Sequence, residues 1–527
     1  MERVTLTRGR DAAPAAVLTV LLALLISGCG VFGSSKEPSP PTPSASPSLT
    51  PSPAASTTPG PEPVAELRSY YRQRLAWKSC RGGSSCAELR VPLDYAEPTG
   101  RTIGVSVLRV PARDRKARLG SMVVNPGGPG VSGVDYAIAG SFGRELQQVY
   151  DVVGFDPRGV GESTPVQCGS DQQLNALVGS DPDPETATKR AESDALVRGL
   201  GAGCLRVSGD LARHVSTVEV AKDLDILREA LGDSTLTYFG ASYGTFIGAT
   251  YADLFPTRVG RMVLDGAVDP AASTLQVLLV QAHGFEVALR SYVGACVEKG
   301  GCFLGPTVEA GVRRIGELLQ QTEAAPLRTS SGREVTGGEA FYGLALPLYD
   351  RSSWSILDQV LKKALKGDGS LLLVVADAYL RRNSLGEYSN NSYEVFNVIN
   401  CLDRDDGLPS SQVPRYLARF KKASPTFGGV FAYSIATCDV WPIHSGRQPA
   451  PVRAVGSPPI LVVGTTRDPA TPLVWARALA KQLPRGVLVT RDGDGHTGYR
   501  RGSTCVNEAV ERYLVSGHVP RRDVSCS

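Results

Sequence analysis

Several patterns that would place this chain of 527 residues in other protein classes are weak or missing. The net charge is only +4 and no long basic run occurs, so nothing indicates a nucleic-acid-binding protein. The five histidines are scattered and no Cys-x-x-Cys occurs, which argues against a zinc site. The longest apolar run, residues 17–26, is too short to span a membrane. A hydrophobic content of 42% and a charged content of 20% indicate a large globular protein.

The N-terminus has the composition of an export signal. Three early arginines (Arg3, Arg8 and Arg10) precede the apolar run, which ends in Ile26-Ser27-Gly28-Cys29. This ending resembles a bacterial lipobox, so we predict that residues 1–29 are a lipoprotein signal peptide and that Cys29 is lipidated. An ordinary secretory signal is the alternative. Either interpretation exports the protein, and lipidation would also anchor it to the outer face of the membrane.

Residues 30–64 are rich in proline, serine, threonine and alanine. Such a composition cannot bury enough apolar surface to fold. We predict a disordered, semi-extended tether between the lipid anchor and a folded domain.

The cysteines support export. Cys29 belongs to the lipobox, and the other ten form an even set, which in an exported chain indicates disulfides. Proximity in sequence predicts five local pairs: Cys80–Cys86, Cys168–Cys204, Cys296–Cys302, Cys401–Cys438 and Cys505–Cys526.

The order of elements predicts an α/β fold. Short apolar strands at 107–110, 121–125, 150–156, 236–239 and 261–265 alternate with helical patterns such as 218–231. This alternation favours a mainly parallel sheet with helices on both faces. The pattern becomes largely helical from 270 to 443, and strands return at 460–464 and 486–490. We therefore predict an α/β core (65–269 and 444–527) interrupted by a helical cap (270–443). A separate helical domain is the alternative.

The stretch Gly240-Ala241-Ser242-Tyr243-Gly244 indicates a nucleophilic serine. It fits Gly-x-Ser-x-Gly, the strained strand-to-helix turn that exposes a serine hydroxyl. An apolar strand precedes it and a helix-compatible segment follows. A Cβ at either glycine would crowd this turn, which explains why both positions are glycine.

A serine nucleophile needs a histidine base that is oriented by a carboxylate. His496 is the candidate base because it lies in a loop just after an apolar strand near the C-terminus, where α/β sheets place their chemistry. Asp468 is the candidate acid, since it also follows a strand and lies between serine and histidine in the chain. Asp492 and Asp494 are closer to His496 in sequence; we interpret them as turn residues, with Asp494 as the alternative acid.

Two backbone N–H groups must stabilise the oxyanion. Tyr243, which follows the nucleophile, is one candidate donor. Gly128 is the other, because the glycine-rich stretch 125–130 follows a strand and permits close backbone approach to a substrate. A simple Gly/Pro turn is the alternative interpretation of this stretch.

Together these residues resemble the α/β-hydrolase superfamily, and more closely the actinobacterial tripeptidyl aminopeptidase family, which is related to proline iminopeptidases. Residues 127–130 resemble the His-Gly-Gly-Pro-Gly loop of the latter, with Pro126 in place of the histidine. Residues 154–163 resemble the family's Asp-x-Arg-Gly-x-Gly-x-Ser segment, within which Arg158 could support the loop beneath the site, and residues 459–497 resemble its C-terminal module. The resemblance covers about residues 65–527 and implies a monomeric serine hydrolase that needs no metal or cofactor.

The resemblance implies an exopeptidase, and a free substrate amine would need an acidic partner in the cap. The candidates by position are Asp403, Glu286, Glu394 and Glu339. Asp403 lies in a stretch that resembles the family's Ile-x-Cys-x-Asp. We predict an extracytoplasmic aminopeptidase that releases tripeptides from free N-termini. A carboxylesterase or lipase of the same fold, acting on small esters, and a binding lipoprotein without activity are the alternatives.

Overall fold

A computed structural model describes residues 65–521 and 523–527. The predicted signal peptide, Cys29 and the tether lie outside the described residues. The strands are β1 (Lys78–Ser79), β2 (Ser85–Pro92), β3 (Thr102–Val110), β4 (Gly120–Asn125), β5 (Tyr150–Phe155), β6 (Leu236–Ala241), β7 (Val259–Asp265), β8 (Leu327–Arg328), β9 (Glu334–Val335), β10 (Ile460–Arg467), β11 (Gly486–Asp494) and β12 (Val524–Cys526).

Helices separate most of these strands. They are α1 (Arg68–Tyr71), α2 (Gly133–Ala139), α3 (Arg144–Val149), α4 (Asp171–Val178), α5 (Ala187–Ser208), α6 (Thr217–Ala230), α7 (Tyr243–Leu254), α8 (Thr274–Glu298), α9 (Val308–Ala324), α10 (Gly337–Leu348), α11 (Trp354–Ala364), α12 (Ser370–Leu380), α13 (Ser392–Asp403), α14 (Pro414–Ala423), α15 (Gly428–Tyr433), α16 (Thr437–Val440), α17 (Leu473–Gln482) and α18 (Thr504–Ser516).

Ten strands form one sheet in the order β1-β2-β3-β5-β4-β6-β7-β10-β11-β12. In this order every pair from β5 onward is parallel, whereas the pairs β1–β2, β2–β3 and β3–β5 are antiparallel. Strands β8 and β9 pair antiparallel in a separate two-stranded sheet. The predicted mainly parallel sheet is confirmed. Of the antiparallel edge, sequence patterning indicated only residues 107–110 of β3, because these strands are only partly buried and lack a continuous apolar run.

Both faces of the sheet are covered. Val123 and Tyr238 pack into one apolar cluster with α6 and α7, while their sequence neighbours Val124 and Phe239 pack into another with α2, α3 and α18. Successive side chains of a strand point to opposite faces. Each central strand therefore contributes to two cores, which explains why β4 and β5 are buried along their whole length.

Helix α6 begins as its sequence predicts. The Ser216 hydroxyl accepts a hydrogen bond from the backbone N–H of Glu219, and the Glu219 side chain accepts one from the backbone N–H of Ser216. This reciprocal capping box satisfies two N–H groups that the first turn leaves without partners.

Helices α8 to α16 all lie in the sequence between β7 and β10. Most of them build an apolar cluster of their own, with Phe285, Leu344, Leu361 and Phe431 among its buried members, whereas the buried apolar residues of α13 and α16 pack into the cluster that holds α6 and α7. Most of this segment therefore has its own core, while the strands before and after it share one sheet.

All five predicted disulfides are present: Cys80–Cys86, Cys168–Cys204, Cys296–Cys302, Cys401–Cys438 and Cys505–Cys526. Within the described residues, no helix is both long and apolar enough to cross a bilayer. The same part of the chain contains no group of three or more histidine, cysteine or acidic side chains that could hold a metal ion.

Candidate active site

Ser242 lies at the turn between β6 and α7. Its backbone has φ 55° and ψ −127°, a left-handed conformation that is strained for any residue with a Cβ. A Cβ on Gly240 would collide with the carbonyl of Gly244, and one on Gly244 would lie 2.7 Å from the carbonyl oxygen of Asn125. Both glycines are thus required by close packing, as the sequence pattern predicts. The turn presents Ser242 half-buried at the end of the strand.

His496 and Asp468 come together on neighbouring loops beyond β11 and β10. Nδ1 of His496 lies 2.9 Å from Oδ1 and 3.0 Å from Oδ2 of Asp468. The Asp468 side chain is buried, and it also accepts hydrogen bonds from the N–H groups of Ala470, Thr471 and Thr497. These bonds fix the carboxylate against one edge of the imidazole, which leaves the Nε2 edge for a proton transfer.

The alternative acid, Asp494, has other partners. Its carboxylate accepts hydrogen bonds from Ser291, Arg467 and Arg351. Asp492 likewise pairs with Arg467. Neither carboxylate contacts the His496 ring in the structure, although both are closer to it in sequence than Asp468.

The glycine-rich loop packs directly on the nucleophile turn. A Cβ on Gly127 would lie 2.8 Å from both the Cβ of Ser242 and the backbone nitrogen of Tyr243. Gly127 and Gly128 have φ values of 97° and 110°, which favour glycine, so the loop can approach this closely. The Gly127 N–H donates to the Asn125 side chain at 2.9 Å.

Asp265, at the end of β7, connects the nucleophile turn with the histidine loop. Its backbone oxygen accepts the N–H of Ser242 at 2.8 Å. Its carboxylate accepts the N–H groups of Gly498 and Tyr499 at 2.8 and 2.9 Å. The sequence analysis did not identify Asp265, because in the sequence it is only the last residue of an apolar strand.

Two further residues that the sequence did not indicate touch the acid–base pair. The Thr471 hydroxyl lies 3.1 Å from Asp468 Oδ2 and 3.2 Å from His496 Nδ1. The carbonyl of Tyr349 accepts the backbone N–H of His496 at 2.8 Å. The Tyr349 ring packs edge-on against the imidazole, with centroids 5.2 Å apart. Tyr349 directly follows α10, so its contact links the helical insertion to the site.

The insertion also contacts the other loops of the site. The Ser392 hydroxyl at the start of α13 donates to the carbonyl of Gly130 at 2.8 Å. Gln281 of α8 donates to the carbonyl of Ala470, beside Asp468, at 2.8 Å. Helical-insertion residues thus touch the glycine, acid and histidine loops, so the insertion borders the site on three sides.

Arg158 supports a neighbouring loop. Its buried guanidinium forms two hydrogen bonds with Asp223, at 2.6 and 2.7 Å, and donates to the carbonyls of Pro92, Leu93 and His214. None of these partners belongs to the nucleophile turn. The Arg158–Asp223 contact is therefore a structural ion pair, and its guanidinium is fully paired.

Two of the candidate amine-binding carboxylates are bonded on both oxygens or paired with a cation. Asp403 accepts the N–H and hydroxyl of Thr217 at 2.8 and 2.5 Å, with an Arg447 nitrogen 3.7 Å away. Glu339 caps α10 and pairs with Arg382 at 2.9 Å. The Thr217 hydroxyl also contacts the Tyr243 hydroxyl, so Asp403 reaches the nucleophile turn through one intermediate side chain.

The other two carboxylates have only neutral hydrogen-bond partners among the described residues. Glu286 of α8 accepts bonds from Ser424 and Thr426. Glu394 of α13 accepts the N–H groups of Cys168 and Gly169 at 2.7 and 3.1 Å, both at Oε1. Burial raises the pKa of Glu394, and these N–H groups oppose that rise.

A sheet of this topology, with a serine turn after one strand and a histidine–aspartate pair after two later ones, is that of an α/β hydrolase. The chain belongs to the family of TAP-like proteins, whose model matches residues 424–526. It is 37% identical to the serine protease Hip1 of Mycobacterium tuberculosis over 86% of this chain and 91% of that protein.

Two other relatives have different names. The chain is 34% identical to carboxylesterase B of Mycobacterium tuberculosis and 31% identical to the tripeptidyl aminopeptidase of Streptomyces lividans. Both matches cover 86% of this chain, with 90% and 87% of those proteins. Among solved structures, the proline iminopeptidase of Mycobacterium smegmatis matches with a TM-score of 0.35 and 13% identity, over 81% of this chain and 97% of that one.

Proposed function

We propose that this protein is an exported serine aminopeptidase that releases short peptides, such as tripeptides, from free N-termini through an acyl-enzyme. The observation that carries the proposal is the His496–Asp468 pair, 2.9 Å apart, with the His496 loop joined through Asp265 to the strained Ser242 turn. The names of the Streptomyces tripeptidyl aminopeptidase and the mycobacterial Hip1 protease support peptide chemistry.

In the proposed reaction, Ser242 attacks the carbonyl carbon of the scissile bond while His496 removes the serine proton. Asp468 stabilises the resulting imidazolium, as its 2.9 Å contact allows. His496 then gives the proton to the leaving amine, and a water molecule hydrolyses the acyl-enzyme by the same route in reverse. No step uses a metal ion or a cofactor.

The negative charge on the tetrahedral intermediate would be held by the N–H groups of Tyr243 and Gly128. Tyr243 is the first residue of α7, where helix N–H groups lack partners and the helix dipole favours an anion. The Gly127 N–H is bonded to Asn125, so the next N–H along the loop, that of Gly128, is the one we assign to the oxyanion.

For the substrate amine we favour Glu394 over Asp403 and Glu286. The hydrogen bonds that the described residues give Glu394 both go to Oε1, which leaves Oε2 for a ligand. Its sequence neighbour Val395 packs on Gly130 of the glycine loop, so the carboxylate belongs to the helix that borders the proposed oxyanion site. A buried carboxylate without a cation is a suitable partner for an ammonium group.

Export with a lipid anchor at Cys29 belongs to the same proposal, with residues 30–64 as the tether and residues 270–443 as a cap. Five disulfides are typical of proteins that fold outside the reducing cytosol. Metabolic labelling with a radioactive or alkyne-bearing fatty acid tests the anchor. Labelling of the wild-type protein and its loss in Cys29→Ala is the expected result, whereas labelling of both would contradict it.

The reaction class is tested with the full chain on three chromogenic substrates: Ala-Pro-Ala-p-nitroanilide with a free N-terminus, its N-acetylated twin, and p-nitrophenyl butyrate. An aminopeptidase cleaves the free-amine peptide and spares the acetylated one, and Ser242→Ala abolishes the activity. Cleavage of the ester alone, lost in Ser242→Ala, would instead support a carboxylesterase, the second candidate that the 34% identity to carboxylesterase B favours. Failure of a fluorophosphonate to label Ser242 in folded protein would indicate a binding lipoprotein without activity.

The amine site is tested with Glu394→Gln, which removes the charge and keeps the shape. We expect KM for the free-amine peptide to rise about tenfold or more, the effect of losing a charge-assisted contact. Ester hydrolysis should be unchanged. Glu286→Gln is the matched control, because that buried carboxylate is likewise bonded to neutral groups. A larger KM effect in the control than in Glu394→Gln would transfer the amine site to Glu286.

A further inference from the structure

The loop that carries His496 is held from outside along five successive residues. The backbone N–H groups of residues 496 to 500 each donate to an acceptor outside the loop. The acceptors, in order, are the Tyr349 carbonyl, Asp468 Oδ2, Asp265 Oδ1, Asp265 Oδ2 and Asn507 Oδ1, at 2.8, 3.0, 2.8, 2.9 and 2.7 Å. Asp265 is the acceptor that serves two of them.

This external support matches the conformation of the loop. Thr497 and Arg500 have φ values of 69° and 61°, in the left-handed region that residues with a Cβ rarely adopt. Such backbone persists only where the surroundings hold it in place. The position of the imidazole therefore depends on the acceptors that surround the loop.

Asp265 is placed to control the histidine and the serine together. Its side chain is 1% exposed, and its two carboxylate oxygens take the N–H groups of Gly498 and Tyr499. The same residue's carbonyl takes the N–H of Ser242. A Cβ on the next residue, Gly266, would lie 3.3 Å from Cε1 of His496, which shows how closely the end of β7 approaches the imidazole.

We propose that Asp265 is a positioning residue that holds the His496 loop in register with Ser242 and places a second buried negative charge beside the imidazolium formed during catalysis. Asp468 orients the imidazole by direct contact, whereas Asp265 acts through the loop backbone and through its charge. The proposal rests on the serine-hydrolase site proposed above.

The electrostatic surroundings agree with this role. Burial raises the pKa of Asp265 to about 6, while the N–H groups of Tyr499 and Gly498 and the charge on His496 favour the ionised form. The other titratable groups that interact with Asp265 are Asp468, Tyr136 of α2 and Arg491 of β11. Tyr349 and Asp468 face His496 from the remaining sides.

Asp265→Asn tests the proposal, because it keeps the volume, removes the charge and turns an NH₂ group toward one loop N–H. The measurement is kcat/KM for p-nitrophenyl butyrate as a function of pH. We expect a loss of about tenfold or more at the optimum, and an acidic limb that moves to lower pH by about half a unit or more, because the protonated base loses a neighbouring anion.

Asn507→Ala is the matched control. It removes an uncharged acceptor that holds the same loop from outside by binding the Arg500 N–H, so it loosens the loop without changing the charge near the imidazole. The acidic limb of this control should stay at its wild-type position. An equal shift in both variants, or a folded Asp265→Asn protein with the wild-type rate and limb, would overturn the proposal.

Hydrogen exchange, compared between wild type and Asp265→Asn, gives a second test that does not depend on activity. Protection of at least one of the Gly498 and Tyr499 amides, corrected for intrinsic exchange, should fall about tenfold or more in Asp265→Asn, because one of the two N–H groups then faces an NH₂ group. Amides of β6 and β7 should remain protected. Unchanged protection of residues 498 and 499 in the folded variant would overturn the proposal, whereas failure of the proposed function would instead appear as an inactive wild-type enzyme.

Discussion

Replacing Asp468 with asparagine keeps the shape of the side chain but removes the charge that faces His496. Oδ1 of Asp468 accepts the N–H groups of Ala470 and Thr471, and Oδ2 accepts that of Thr497. An asparagine would keep its oxygen where two N–H groups converge. Its NH₂ group would then face Thr497 and Nδ1 of His496.

This orientation inverts the hydrogen bond to the imidazole. The amide NH₂ donates to Nδ1, which must then carry no proton, so the proton of a neutral imidazole moves to Nε2. A base protonated at Nε2 cannot accept the proton of Ser242. The corresponding change in a serine protease lowers kcat roughly 10⁴-fold, or about 5.5 kcal/mol of transition-state stabilisation. We expect a loss of the same order here.

The assay is kcat on the substrate that the wild-type enzyme turns over best, together with the rate of fluorophosphonate labelling at Ser242. Asp494→Asn is the matched control, because it makes the same chemical change close to His496 in sequence on a carboxylate bonded to Ser291, Arg467 and Arg351. The control should stay within about tenfold of wild type. An Asp468→Asn protein that folds and keeps more than about a tenth of wild-type kcat would refute the assignment of Asp468 as the residue that orients the base.

Three further predictions concern the glycine loop, the Cys168–Cys204 disulfide and Asp265. Gly127→Ala should lower kcat about 100-fold or more with a normal far-UV circular dichroism spectrum, because its Cβ would lie 2.8 Å from the Tyr243 nitrogen; wild-type turnover would contradict the placement of the loop. Replacing both Cys168 and Cys204 by serine opens a link across 36 residues, and should lower the free energy of unfolding in urea by about 3–4 kcal/mol; an unchanged midpoint would contradict this. Because burial raises the pKa of Asp265 from 3.8 to about 6, its contribution to stability is present below pH 3.8 and is lost as pH rises through 6. Wild-type protein should therefore lose up to about 3 kcal/mol relative to Asp265→Asn over that range, and parallel stability curves would exclude it.

The features that the sequence revealed depend on short-range geometry. A Gly-x-Ser-x-Gly turn can be recognised from the sequence because the steric limits on Gly240 and Gly244 arise within one strand–turn–helix unit. The capping box at Ser216 is equally local. The five disulfide pairs followed sequence proximity, since each links cysteines no more than 37 residues apart.

Asp468 was an intermediate case. Chain order placed it ahead of Asp494, although Asp494 is closer to His496 in sequence. Only the parallel pairing of β10 with β11 brings the two loops together, so that the Asp468 carboxylate lies on the imidazole. The order of elements along the sequence thus indicated Asp468, and the pairing of β10 with β11 in the sheet brings it into contact with His496.

The residues that hold the loops of the site in place could not be identified from the sequence. Asp265 acts on a loop more than 200 residues away, and Tyr349 reaches His496 from the helical insertion. Likewise, the hydrogen bonds that fix Asp403 and leave Oε2 of Glu394 unbonded by the described residues join segments distant along the chain.

The sequence by itself determined the α/β class, the serine turn and the disulfide pairs, because backbone sterics and hydrophobic periodicity act over a few residues. The tertiary structure decided which carboxylate meets the histidine, which acceptors hold its strained loop and which cap residues border the site. Hydrogen-bond partners between distant segments are chosen by packing and burial, and no local pattern records that choice.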